Sequence, residues 1–145
     1  MPTVRVLWNR GLQFVGLSEG NHTVVIDTRR EVGGFEAAPS PTELLLMGVG
    51  GCTAIDVVSI LRKKRVAFDD VEVEVRGEIE MGPPKFVKRI HIVYKVWGTD
   101  VPREAVVRAV ELSQEKYCTV SNTVKGRADV TWEIQILPPK ERFSP

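Results

Sequence analysis

Residues 3–8 (Thr-Val-Arg-Val-Leu-Trp) alternate apolar and polar side chains, the period-two signature of a half-buried strand. The alternation resumes over residues 12–18, after an Asn9-Arg10-Gly11 turn. It returns over 22–28 after Gly20-Asn21, a two-residue turn signal suited to a hairpin. A loop from Arg29 to Ser40, with Gly33-Gly34-Phe35 inside it, then carries no period, and ordered loops of that length are often functional. Ser40-Pro41-Thr42-Glu43 supplies an N-cap serine, a proline at the first helical position and a glutamate at the third, which is a capping box. The helix that it opens is expected to run to about Lys64. It is apolar around most of its circumference, so protein is expected to enclose it on nearly all sides.

Beyond Phe68, Val71, Val73, Val75 and Ile79 alternate with charges. After a Gly82-Pro83-Pro84 turn, Phe86, Ile90, Ile92, Tyr94 and Val96 do the same, predicting two long strands with one dry face each. A second helix starts near Pro102, with Ala105, Val106, Ala109, Val110 and Leu112 as its apolar stripe, and ends close to Cys118. Residues 128–137 read as a last strand that Pro138-Pro139 stops, and the tail to Pro145 reads as loosely held. The order βββ-α-ββ-α-β predicts an α+β fold, antiparallel strands with helices on one side, in a single domain over residues 1–145. A helix as apolar as 41–64 is hard for one such chain to cover, which predicts a homodimer.

Composition narrows the function. The chain has 145 residues, 43% hydrophobic and 27% charged, the balance of a globular protein and not of a disordered one. A formal net charge of +1 argues against a nucleic-acid partner. The Arg62-Lys63-Lys64-Arg65 run reads as a solvated helix end, where cations suit the dipole. Leu44–Leu61 is interrupted by Gly48, Gly50, Gly51 and Asp56, so no membrane span is expected. With no signal peptide pattern at the start, the expected location is cytoplasmic. Two cysteines 66 positions apart, two histidines and no CxxC spacing do not describe a structural zinc site, and no metal is expected.

Two chemistries remain open for Cys52 and Cys118: buried thiols acting as small hydrophobes, or a redox couple. Cys52 lies about 18 Å along its helix, too far in for the helix dipole to acidify a thiol. A free cysteine has a pKa of about 8.5, so a reactive one needs a cation or directed hydrogen bonds from elsewhere in the fold. Gly48, Gly50 and Gly51 each weaken a helix by about 1 kcal/mol relative to alanine. They predict close approach, either of another backbone or of a substrate. Cys118, at a helix end, suits a resolving thiol better than an attacking one. His22 and His91 read as ordinary strand positions. No Gly-x-Ser-x-Gly elbow or phosphate loop is present.

The segments Val6-Leu7-Trp8 with Gly11–Gly16, Ser40–Leu46 through Gly51–Val58, and Glu115–Ser121 with Thr123–Gly126 together resemble the OsmC/Ohr family, most closely its small YhfA-like branch. The resemblance spans nearly the whole chain and implies an intertwined homodimer, its antiparallel sheets around a buried central helix. It also implies thiol-dependent reduction of hydroperoxides, organic ones especially, with no bound cofactor and an external thiol, such as a dithiol, as reductant. Cys52 matches the peroxidatic cysteine and Cys118 the resolving one. In the organic-hydroperoxide branch a glutamate ten residues before the cysteine pairs with an activating arginine. Here Thr42 holds that place, Glu43 follows it, and Arg10 is nearest the family's arginine, with Arg29 and Arg30 as substitutes. The rival expectation is a non-catalytic protein on the same scaffold that binds a small apolar ligand at the dimer interface.

Overall fold

The computed structural model describes residues 1–140; of the tail, residues 141–145 lie outside the described residues. The chain divides into two compact units, Met1–Leu45 and the part from Leu46 onward. The first holds an antiparallel sheet of β1 (Arg5–Arg10), β2 (Gln13–Leu17) and β3 (Thr23–Ile26) in that order. Gly11 turns β1 into β2 with φ 55°, a left-handed conformation that glycine adopts without steric cost. At the end of β3 the buried carboxylate of Asp27 organises the following loop. It accepts from the backbone N–H groups of Thr28 (2.7 Å), Phe35 (3.1 Å) and Ala37 (3.3 Å), and from Gln13 Nε2 (3.1 Å). Burial pushes its pKa up, but these four hydrogen bonds outweigh it and hold the group below the ordinary carboxylate range. Gly34 is obligatory in that loop, because a Cβ there would stand 2.1 Å from the Thr28 carbonyl oxygen.

Helix α1 (Pro41–Lys63) begins with the expected capping box. Glu43 Oε1 accepts from the Ser40 N–H at 3.1 Å, and the Glu43 N–H donates to Ser40 Oγ at 3.2 Å. In the second unit, β4 (Asp70–Glu80) and β5 (Phe86–Trp97) form a long antiparallel hairpin, with Val73 opposite Tyr94 and Val75 opposite Ile92. The chain then passes through α2 (Arg103–Leu112), a π-helical turn at Ser113–Tyr117 and α3 (Thr119–Val124). It returns as β6 (Asp129–Leu137), which pairs with β5 in parallel, Ile92 opposite Trp132 and Tyr94 opposite Ile134. The α+β plan holds, and the sheets are antiparallel except at this last pair. A helical crossover longer than a dozen residues carries the chain back to the starting end of β5, so the next strand runs the same way.

The core of the second unit is built from Val49, Val57 and Leu61 of α1, the β5 residues Ile90, Ile92, Tyr94 and Val96, and Val106, Ala109 and Val110 of α2. By length and composition α1 could cross a membrane, with a mean hydropathy of 2.0. Its place here is that of a core helix with one face sealed. The opposite face is not enclosed within one chain: Met47 is 54% and Ile55 72% exposed. One sheet can bury only one stripe of a helix, so a single chain leaves these side chains uncovered.

The glycines of α1 do different things. A Cβ on Gly50 would meet Val75 Cγ2 at 2.9 Å, so Gly50 is where α1 presses on β4. Gly51 has nothing within 4 Å. Gly50→Ala is therefore expected to destabilise, since overpacking costs about 1–3 kcal/mol against a helix gain of about 1 kcal/mol. Gly51→Ala is expected to stabilise by up to about 1 kcal/mol. Urea unfolding of the two variants checks the pair, and equal signs would refute it.

Candidate functional site

Cys52 and Asp56 lie four residues apart on α1, one turn along the same face. Cys118 reaches that face from the junction between the π-helical turn and α3. The Cys52 sulfur, an Asp56 carboxylate oxygen and the Cys118 sulfur all lie within 4.8 Å of one another. Two residues 66 positions apart in the chain are thus in reach of a bond after a small movement. Both cysteines are free; Cys52 is half-buried and Cys118 fully buried.

Cys118 was expected at a helix C-terminus, and it does follow the π-helical turn, its N–H donating to Ser113 O at 2.7 Å. It is equally the N-cap of α3, an element that sequence periodicity did not reveal. Its sulfur accepts from the Ser121 N–H at 3.3 Å and its S–H donates to Ser121 Oγ at 3.1 Å. Burial pushes the Cys118 thiol up, the Ser121 hydrogen bonds oppose that, and the neighbouring Cys52 adds to it. A buried thiol kept protonated suits a group that waits for an oxidised partner.

Behind the sulfurs runs a buried chain of hydrogen bonds whose direction can be derived. The Asp56 carboxylate accepts from Ser113 Oγ at 2.8 Å, which uses the only proton of that hydroxyl. Ser113 must then accept at its 2.7 Å contact with Thr53 Oγ1. Thr53 has spent its proton in turn, so at 2.7 Å it accepts from Tyr94 OH. Gln114 Nε2 donates to both Tyr94 OH (3.0 Å) and Thr53 Oγ1 (3.1 Å). Every hydroxyl dipole therefore points toward Asp56. Tyr94, packed edge-on against Trp132, has its phenol pKa pushed up to about 12, chiefly by burial. Among the described residues, Gln114 Oε1 is a buried side-chain oxygen without a partner.

Glu43 and Arg10 belong to the first unit; Glu43 closes the capping box and Arg10 lies over the Trp8 ring at 5.3 Å. Arg29 and Arg30 pair with Glu31 and Glu36, each at 3.9 Å. Within the second unit, among the described residues, no lysine or arginine is hydrogen-bonded or ion-paired to Cys52, Asp56 or Cys118. The acidic residue that this unit brings to the sulfurs is Asp56, which the sequence reading used only against a membrane span. Its signal was present as Cys-x-x-x-Asp on a helix. His91 bonds Thr131 (2.7 Å) and Glu133 (3.1 Å) across strands, an ordinary strand-surface position, whereas His22 lies just before β3 in the turn, against Ser18 at 3.3 Å. Arg62 to Arg65 form the exposed end of α1 and the turn after it.

Comparison with known proteins gives a consistent answer. The family model described as OsmC-like protein matches residues 34–133. Protein YhfA of Escherichia coli (strain K12) is 39% identical over 133 residues, covering 92% of this chain and 96% of the relative. A crystal structure of a hypothetical protein from Aquifex aeolicus VF5 superposes with a TM-score of 0.79 at 30% identity, over 94% of this chain and 97% of that one. The organic hydroperoxide resistance protein OhrB of Bacillus subtilis superposes with a TM-score of 0.67 at 16% identity, over 93% and 98%, a likeness of fold.

Proposed function

Since the chain belongs to the OsmC-like protein family, we propose that Cys52 and Cys118 form a thiol pair that reduces hydroperoxides, organic ones in particular. The observation that carries this reading is the convergence of the two sulfurs, remote in sequence, within 4.8 Å. Half-buried Cys52 attacks as thiolate, taking the terminal peroxide oxygen and releasing an alcohol. Its sulfenic acid then condenses with the Cys118 thiol, forming the disulfide and expelling water. An external thiol, in the simplest case a dithiol, exchanges with the disulfide and restores both groups. No bound cofactor takes part, and the cycle suits a reducing compartment such as the cytoplasm.

A second copy of the chain fits the same reading. Met47 and Ile55 on α1 and Val6, Leu7 and Trp8 on β1 leave large apolar side chains exposed in a single chain, surface of the kind that subunit contact removes from water. By family resemblance, Arg10 is the first candidate for the arginine that ionises Cys52, with Glu43 as the acid of its network.

The test treats reduced protein with one equivalent of cumene hydroperoxide under anaerobic conditions, followed by intact mass and thiol counting. The expected product has lost two hydrogens and both free thiols, and a dithiol returns the starting mass. Protein that keeps both thiols and leaves the peroxide unconsumed would leave the non-catalytic, ligand-binding reading in place.

A further inference from the structure

The carboxylate of Asp56 lies beside the two sulfurs, one ligand atom from each residue within 4.8 Å of the others. Asp56 is held in place: Ser113 occupies Oδ2 at 2.8 Å, and a one-way chain of buried hydroxyls stands behind Ser113. Three groups that can serve as anionic ligands thus face one another, with buried polar groups orienting the carboxylate. A divalent cation between them turns their mutual repulsion into attraction.

We infer that Cys52, Asp56 and Cys118 form a binding site for a thiophilic divalent cation such as zinc, which caps and protects the reduced thiol pair. Spacing i, i+4 on α1 places Cys52 and Asp56 on one face, the same arithmetic by which two helical histidines grip zinc. Tetrahedral zinc with bonds of about 2.3 Å to sulfur puts two sulfurs about 3.8 Å apart, so groups within 4.8 Å need only a small inward movement. The outer contacts that orient metal ligands are in place as well: the Ser113 hydroxyl on Asp56, and the Ser121 N–H on the Cys118 sulfur. Three protein ligands leave a fourth position open, and the half-buried state of Cys52 and Asp56 turns it toward the accessible side. The absence of a CxxC motif is no obstacle, because two ligands come from one helical turn and the third from the far end of the fold.

This inference rests on the proposed redox pairing for its consequence. A hydroperoxide that oxidises the two thiolates to the disulfide is itself cleaved, with uptake of two protons, to an alcohol and water. Both sulfur ligands are then gone, and the cation is released. Metal and disulfide are alternative states of one pocket.

The experiment titrates reduced, chelator-stripped full-length protein anaerobically with cadmium and follows the thiolate-to-cadmium charge-transfer absorption. Saturation at one equivalent per chain, reversal by excess zinc, and loss of the signal in Cys52→Ser and in peroxide-oxidised protein are expected. Ser113→Ala should weaken binding about ten- to a hundredfold, and Asp56→Asn at least as much, each with an unchanged circular dichroism spectrum. No stoichiometric signal in the wild type would overturn the site. Wild-type affinity in both variants would overturn it too, reducing the site to two thiols without a carboxylate. Peroxide consumption, measured separately on metal-free protein, keeps the two readings apart: it survives a failed titration, and a good titration survives its absence.

Discussion

Cys52→Ser is expected to lower hydroperoxide consumption by about a thousandfold or more, the order of loss seen when a covalent nucleophile is removed. Serine keeps the shape of the side chain but cannot pass an electron pair to a peroxide oxygen at neutral pH. Cys118→Ser is expected to behave differently. The hydroxyl of serine is a favoured N-cap, so α3 keeps its first hydrogen bond from Ser121. The first oxidation of Cys52 then proceeds at close to the wild-type rate, and the sulfenic acid has no partner. Repeated peroxide drives it to sulfinic acid, visible as added oxygen in the intact mass and as turnover that dies after a few cycles. Stopped-flow consumption with a dithiol reductant separates the two outcomes. Undiminished activity in Cys52→Ser would remove Cys52 from the attacking role.

The second large effect is on stability. Thr53→Val is close to isosteric, yet it deletes the oxygen on which Tyr94, Ser113 and Gln114 all converge. The phenol proton loses its acceptor inside a fully buried core, and Gln114 loses one of two acceptors for its amide. Each buried group left unsatisfied costs about 1–3 kcal/mol, so with partial rearrangement the variant is expected to unfold about 2–4 kcal/mol more easily. Because the groups share one network, Thr53→Val and Tyr94→Phe should combine to less than their sum. Chemical denaturation of the four members of that cycle measures both quantities. A change under about 0.5 kcal/mol, the size of an ordinary surface substitution, would show that the chain of hydroxyls carries little energy.

Much of the fold was legible because local rules and packing agree. Ser40 and Glu43 announced α1 by chemistry that needs no tertiary partner, and the alternation of Val71–Ile79 with Phe86–Val96 named the hairpin and its dry face. The direction of β6 was not legible, since period two is identical in parallel and antiparallel ladders. Cys52 and Cys118 could be named as a pair through the family resemblance, but their meeting depends on how the α2–α3 passage folds back over α1. Asp56, Thr53 and Ser113 escaped notice for a related reason. Ser113 turns inward at the π-helical turn, a local widening with no strong sequence signature, and Thr53 acquires its role only from the register that sets Tyr94 beside it.

Cys118 does two jobs with one atom. Its sulfur is both half of the proposed thiol pair and the cap on the Ser121 N–H in the first turn of the Thr119–Val124 helix. On the proposed pairing, a sulfur drawn into a bond with Cys52 becomes a poorer acceptor for the Ser121 N–H, so oxidation is expected to loosen the start of this short helix, with faster amide exchange over its first turn as the measurable sign.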